Sequence, residues 1–210
     1  MRKYLTEFLG TMFFVLIISL VVTTATPMAP LVIGIALMAV VYMGGHVSGG
    51  HYNPAVTLAV FLRGKLPAGE VVPYLVAQIA GSTLGAYLSY MFLDRTFAPA
   101  PAATSTTMTT LLVEGLFTFL LALTVLNVAT SKSTEGNSFY GLAIGSVIIA
   151  AGFAGGPISG GAFNPAVATG PTIVHALMGD GSFGQLWLYF VGPLAGGALA
   201  AAVFNIQDAA

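Results

Sequence analysis

Two asparagines with the same neighbours carry most of the chemistry that this chain offers. Asn53 and Asn164 each stand in an Asn-Pro-Ala-Val run preceded by a Ser-Gly-Gly turn, and the two copies lie in the same frame. An asparagine followed by proline combines a helix N-cap with a residue whose fixed φ suits the first helical position. Each copy is therefore predicted to be a loop that begins a helix and presents amide donors beside its N-terminus.

The composition indicates which solvent surrounds these helices. Hydrophobic residues make up 57% of the 210 residues and charged residues only 6%, whereas globular proteins carry about a quarter charged residues. The apolar runs are continuous rather than alternating, so helices rather than barrel strands are expected to cross the bilayer. We therefore predict an all-α membrane protein in contact with lipid. The net charge of −1 indicates no nucleic-acid partner, and the lack of cysteine excludes disulfides and thiolate metal sites.

The apolar runs divide the chain into six long segments and two short ones. Membrane-spanning helices are predicted over residues 5–22, 31–43, 71–93, 111–130, 139–153 and 183–204. The helices that follow the two Asn-Pro pairs, residues 54–62 and 165–178, are expected to make only half a crossing. Residues 96–110 are rich in proline, serine and threonine, and we predict an extended surface loop there.

The N-terminal segment leaves a second interpretation open. Met1-Arg2-Lys3 followed by an apolar run, with small residues near Thr24-Ala25-Thr26, is also typical of a cleaved signal peptide. Glu7 would then lie in the apolar core of that signal. Against this interpretation, the segment around Glu7 has a counterpart around Glu114 later in the chain.

The chain is predicted to be a single domain made of two repeats, approximately residues 1–95 and 108–210. The two glutamate segments, the two Asn-Pro-Ala motifs and two glycine-rich stretches occur in the same order in each half. Each half holds three full spans, an odd number, so the second repeat enters the membrane from the opposite side. Such a repeat is inverted.

The charges predict the orientation in the membrane. Five basic residues fall on the side of the N-terminus and only Arg95 falls on the other side; the five are Arg2, Lys3, Arg63, Lys65 and Lys132. Because basic residues accumulate on the cytoplasmic side, both termini are predicted to be cytoplasmic, with the plasma or inner membrane as the expected location.

An inverted repeat lets the two half-helices meet near the middle of the membrane. Both positive dipole ends then point at one place, which would repel cations and hydronium but admit uncharged solutes. Irregular backbone at this depth is tolerated where it lines a wet cavity. Residues 44–50 and 155–161, both rich in glycine, are expected to offer a ladder of free carbonyls along such a path.

These motifs resemble those of the aquaporin family of major intrinsic proteins, and the resemblance covers essentially the whole chain. It rests on the paired Asn-Pro-Ala boxes, the run from His46 to Thr57, the two glutamates and the plan of six spans with two half-helices. It implies a passive channel rather than an enzyme, without cofactor or metal. The expected assembly is a homotetramer with a pore in each subunit, and the expected substrates are water and small neutral solutes.

The resemblance also assigns roles to individual residues. It makes Asn53 and Asn164 the central pore donors and makes the residues that follow them the packed contact between the half-helices, namely Pro54, Ala55, Pro165 and Ala166. Glu7 and Glu114 would brace the two loops, and His51 would be a packing or loop-bracing residue. Two alternatives stay open: an interfacial carboxylate for either glutamate, and a proton relay for the histidine.

The residue after the second box departs from the family pattern. Most members carry an arginine there, whereas this chain has Val167, and the other positions that match the outer constriction are Ile33, Gly152 and Gly161. A filter of these four residues would be wide, uncharged and poor in donors, which favours solutes beyond water such as glycerol, urea, peroxide or ammonia. Alternatively, another loop residue or water fills the space and the channel passes mainly water.

Two further positions argue against a simple glycerol channel. Glycerol-conducting members usually have an aspartate where this chain has Ala168, and a Pro-Leu pair where it has Tyr189-Phe190. Two other function classes also remain open at this point. One is an ion- or proton-coupled transporter, since those also use inverted repeats and broken helices. The other is a structural junction protein with a closed pore on the same scaffold.

Overall fold

The computed structural model describes residues 1–208, which fold into eight α-helices and a short 3-10 turn. The helices are α1 (Arg2–Thr23), α2 (Ala29–Ser48), α3 (Pro54–Leu62), α4 (Ala68–Leu93), α5 (Thr107–Thr130), α6 (Tyr140–Ser159), α7 (Pro165–Met178) and α8 (Leu188–Gln207). Six of them are long and apolar enough to cross a membrane. Because α3 and α7 have only 9 and 14 residues, they are too short to cross. The predicted plan of six spans and two half-helices is confirmed.

Glycines bring the long helices into backbone contact. A Cβ atom at Gly81 of α4 would overlap the backbone of Phe8 in α1, and one at Gly196 of α8 would overlap the backbone of Gly115 in α5. Small residues are the usual means of close packing between helices in lipid, where no hydrophobic driving force acts between them. The pair α1 with α4 and the pair α5 with α8 are therefore packed in the same way.

Each half-helix also packs on the last long helix of the other half of the chain. Helix α3 contacts α8, and α7 contacts α4. In the first contact Gly197 lies directly against the Ala55 carbonyl, and in the second Ser82 Oγ donates a hydrogen bond of 2.6 Å to the Ala166 carbonyl. The exchanged contacts mean that neither half-helix is positioned by its own half alone.

The second and fifth spans extend further than the sequence predicted. Helices α2 and α6 continue through most of the glycine-rich stretches, so only residues 49–53 and 160–164 separate them from the half-helices. An irregular backbone with free carbonyls was expected over residues 44–50 and 155–161, and this prediction is wrong for residues 44–48 and 155–159, which are helical. The physical reason is that backbone at membrane depth satisfies its polar groups within a helix, and glycine does not prevent this.

The connection between α4 and α5 is shorter and better packed than an extended surface loop. Helix α5 begins at Thr107 rather than near residue 111. The preceding residues fold back onto the end of α6, where the Ala102 N–H and the Ser105 hydroxyl donate to the Ile158 carbonyl at 3.1 and 2.8 Å. We call residues 94–106 the connecting loop.

Candidate functional site

Both half-helices begin as the Asn-Pro pairs predict. Asn53 Oδ1 accepts the Ala55 N–H at 2.8 Å, and Asn164 Oδ1 accepts the Ala166 N–H at 2.9 Å. Proline occupies the first helical position in each case. Each asparagine therefore caps its helix through its oxygen, which leaves the side-chain NH₂ group to point elsewhere.

The two NH₂ groups tie the loops to each other. Asn53 Nδ2 donates to the Phe163 carbonyl at 3.0 Å, and Asn164 Nδ2 donates to the Tyr52 carbonyl at 2.8 Å. Both acceptor residues adopt a left-handed backbone, with φ of 47° at Tyr52 and 49° at Phe163. Because that conformation is unfavourable for a residue with a Cβ atom, the surrounding packing must hold it in place.

The residues just after the asparagines are packed between the half-helices. Ala55 and Ala166 are fully buried, and the prolines before them are buried as well. The structure therefore places the two helix N-termini next to each other inside the protein. Their positive dipole ends converge on one region of the interior.

Glu7 lies beneath the first loop with no exposed surface. One carboxylate oxygen accepts from Ser48 Oγ at 2.7 Å and from the His51 N–H at 2.9 Å. The other accepts from the Tyr52 N–H at 2.7 Å and from Gln78 Nε2 at 2.8 Å. Four donors from three parts of the chain thus converge on one carboxylate, so the loop cannot shift without breaking hydrogen bonds.

Glu114 lies beneath the second loop in the same way. Its carboxylate accepts from Ser159 Oγ at 2.7 Å, from the Ala162 N–H at 3.1 Å and from the Phe163 N–H at 2.6 Å. It is also fully buried. The contacts repeat those of Glu7 except for the glutamine.

A cavity of about 480 Å³ opens beside the paired asparagines, and we call it the outer cavity. Both Asn53 and Asn164 line it. All four predicted filter residues line it as well, namely Ile33, Gly152, Gly161 and Val167. None of these four side chains carries a hydrogen-bonding group. Within residues 1–208, no Asp, Glu, Lys or Arg contributes to its wall, so polar contacts come from the two amides, His51 and backbone groups.

A second cavity of about 780 Å³ lies beside the C-terminal ends of α2 and α5, and we call it the inner cavity. Its wall includes charged side chains. Lys3, Lys65 and Lys132 line it, together with Glu70 and Glu135. Lys3 Nζ and the Glu70 carboxylate form an ion pair at 2.8 Å. Three of the basic residues that were predicted to share one side of the membrane therefore meet at one mouth of the protein.

The two cavities meet at His51 and Val125, which line both of them. His51 is held by its backbone bond to Glu7 and by a contact of 3.1 Å between Nδ1 and Thr57 Oγ1. Its ring also packs on Tyr74, with 5.1 Å between the ring centroids. His51 is thus held by contacts with Glu7, Thr57 and Tyr74 and also forms part of the wall of both cavities.

Several residues of the outer cavity were missed by reasoning from the sequence. Residues 97–100 of the connecting loop form part of the wall, and so does Val125 of α5. A loop without periodicity gives no sequence signal for the direction of its side chains. Val125 is one apolar residue among many in its helix, so only the three-dimensional packing distinguishes it.

Comparison with known proteins assigns the chain to a family. Residues 1–204 match the family described as Major intrinsic protein. Nodulin-26 of Glycine max is 34% identical over 218 residues, which cover 98% of this chain and 78% of that protein. The glycerol uptake facilitator protein of Streptococcus pneumoniae, strain R6, is 34% identical over 235 residues, which cover 98% of this chain and 99% of that protein.

Two further matches agree. Aquaporin NIP1-1 of Zea mays is 36% identical over 182 residues, which cover 86% of this chain, and the chain spans only 62% of the length of that relative. The fold matches the crystal structure of the aquaglyceroporin from Plasmodium falciparum with a TM-score of 0.87 at 20% identity, covering 97% of this chain and 95% of the other. The chain therefore belongs to the major intrinsic protein family of membrane channels, as its two Asn-Pro-Ala boxes predicted.

Proposed function

We propose that this protein is a passive channel for water and small uncharged solutes that excludes ions and protons. The path runs through the outer cavity, past His51 and Val125, into the inner cavity. The observation that carries the proposal is the convergence of two helix N-termini, each capped by an asparagine, on the wall of a cavity inside the membrane. Family membership supports the same conclusion.

Exclusion of cations follows from the electrostatics of this site. Each helix N-terminus behaves like about half a positive charge, so a cation beside Asn53 and Asn164 meets two repulsive ends. No carboxylate lines the described part of the outer cavity to offset that repulsion. A neutral solute instead exchanges hydrogen bonds with the amides and loop carbonyls, which replace part of its water shell.

The four filter residues favour solutes larger than water. Gly152 and Gly161 contribute no side chain, while Ile33 and Val167 contribute only apolar surface. We propose that this outer filter admits glycerol, urea, peroxide or ammonia in addition to water. The relatives named as nodulin-26 and as a glycerol uptake facilitator are consistent with that range.

The remaining features of the proposal concern architecture. Glu7, Glu114 and His51 brace the two loops, and the chain forms one channel domain of two repeats, residues 1–95 and 108–210. The channel assembles as a homotetramer in the lipid bilayer, which is the assembly that the family resemblance implies. Both termini face the cytoplasm at the plasma or inner membrane, because Lys3, Lys65 and Lys132 line the inner cavity.

Proteoliposomes test the proposal. Vesicles containing the protein are shrunk with an impermeant osmolyte, and their reswelling is followed under gradients of glycerol, urea and peroxide, with and without a proton gradient. We expect rapid shrinkage and reswelling that do not depend on the proton gradient. Lack of flux for water and for every solute would refute the channel, whereas uptake driven by the proton gradient would indicate a coupled transporter. No contact within the described residues favours the transporter or a closed junction protein.

A further inference from the structure

The connecting loop supplies one side of the outer cavity. Residues 97–100 line it, and Phe97 is the only aromatic residue of that loop. Its ring is half-buried and packs against the apolar core. Two of the four filter residues in the same cavity wall are glycines, so the phenyl ring is larger than any of the filter side chains.

Two sets of contacts hold the loop on either side of Phe97. Before it, Thr96 Oγ1 lies 2.8 Å from Nδ1 of His175 in α7. After it, Ala100 packs against Gly160 of the second loop: a Cβ atom on Gly160 would lie only 2.6 Å from the Ala100 carbonyl oxygen. The Ala102 bond to α6 follows directly. Because both flanks are tied to different helices, the position of Phe97 is determined by the fold.

The backbone between these contacts is restricted as well. Pro99 and Pro101 each fix one φ angle and remove conformations that would let the loop swing away. The ring of Phe97 also borders a small space between α1, α4 and α7, whose wall includes Ser19, Ser89 and Pro171. Phe97 therefore lies between the outer cavity and this small space.

We infer that Phe97 is a size-selecting residue of this channel, a further element of the filter formed by Ile33, Gly152, Gly161 and Val167. Its ring takes up width that the small filter residues leave open. It also offers an apolar face to the carbon skeleton of a polyol or to an amide such as urea. This role rests on the proposed channel function. The Phe97 ring would fill part of the space that an arginine occupies in most family members, at the position where this chain has Val167.

The test compares three variants in vesicles. Phe97→Ala removes the ring, Phe97→Trp enlarges it, and Phe92→Ala is the matched control. Phe92 is 63% exposed at the end of α4 and lines neither cavity. The permeability of xylitol and of glycerol is measured by reswelling, and that of water by shrinkage.

We expect Phe97→Ala to raise the xylitol-to-glycerol permeability ratio by on the order of tenfold, since pocket differences of a single methylene already discriminate by about that factor. Phe97→Trp should lower the glycerol-to-water ratio, and Phe92→Ala should leave both ratios unchanged. Unchanged ratios in a Phe97→Ala variant that still passes water would overturn the role of Phe97. If Phe97→Ala does not fold, an unchanged ratio in Phe97→Trp would overturn it.

The controls separate this inference from the channel proposal. If the wild-type protein passes neither water nor glycerol, the proposed function itself fails. If the wild type conducts and only the Phe97 variants lack their expected effect, the channel stands and the size-selecting role of Phe97 is refuted.

Discussion

Replacing Glu114 with alanine removes the carboxylate that three buried donors share. Ser159 Oγ and the N–H groups of Ala162 and Phe163 all donate to that carboxylate. Ser159 Oγ keeps a contact of 3.4 Å with the Gly155 carbonyl, whereas the N–H groups of Ala162 and Phe163 lose their acceptor. A buried donor left without a partner costs about 1–3 kcal/mol, so the variant should lose about 2–6 kcal/mol of folding free energy. Because Phe163 accepts the bond from Asn53, the loss should also loosen the contact between the two half-helices.

The assay heats detergent-solubilised protein to increasing temperatures and measures by size-exclusion chromatography how much of it stays folded. The matched control is Glu70→Ala, which breaks the partly exposed ion pair with Lys3 and should cost at most about 1 kcal/mol. Glu114→Gln keeps the size of the side chain but turns an NH₂ group toward donors, so its stability should fall between those of the other two variants. If Glu114→Ala is as stable as Glu70→Ala, the bracing role of Glu114 is refuted.

Three other substitutions test the filter, the dipole field and the helix packing. Val167→Arg should narrow the outer cavity and reduce glycerol flux in vesicles by on the order of tenfold while water still passes; equal glycerol flux would argue against this constriction. Asn164→Asp should admit a measurable potassium current, because a carboxylate offsets the positive helix ends; an unchanged absence of current would show the dipole explanation to be incomplete. Gly196→Val should lower the free energy of unfolding by about 1–3 kcal/mol, because the new side chain forces α8 away from α5. Gly69→Ala is the control and should be neutral, since no atom lies near its new methyl group. Equal stability of the two variants would contradict the close packing of α5 and α8.

The local features of the site were predictable because they depend on adjacent residues. An asparagine before a proline caps a helix wherever the pair occurs, so the start of both half-helices was readable at Asn53 and Asn164. The long apolar runs indicated the six spans because a bilayer requires about 20 apolar residues per crossing. The ends of α2 and α6 were not predictable, because each stretch holds several glycines and the helix ends at only one of them, at Gly49 and at Gly160, which adopt the left-handed conformation typical of a helix C-terminus.

Contacts between distant parts of the chain could not be predicted from the sequence. The bond from each asparagine to the opposite loop depends on which carbonyl faces it after folding, and the pattern of residues holds no information on that. The two halves also differ. Gln78, three residues before Gly81, donates to Glu7, whereas the residue three before Gly196 is Pro193, which has no side-chain donor, so Glu114 has one donor fewer. Repetition in the sequence therefore indicated that the two glutamates occupy equivalent positions, but not how many donors each of them accepts.

The most direct measurement follows neutral and charged species in the same vesicles. Proteoliposomes that contain a pH-sensitive dye are given a glycerol gradient and, in parallel, a membrane potential set by potassium and valinomycin. We predict fast glycerol reswelling together with a proton leak equal to that of protein-free vesicles. Reswelling no faster than in protein-free vesicles, or a proton current that appears only with the protein, would contradict a channel that passes neutral solutes and excludes ions.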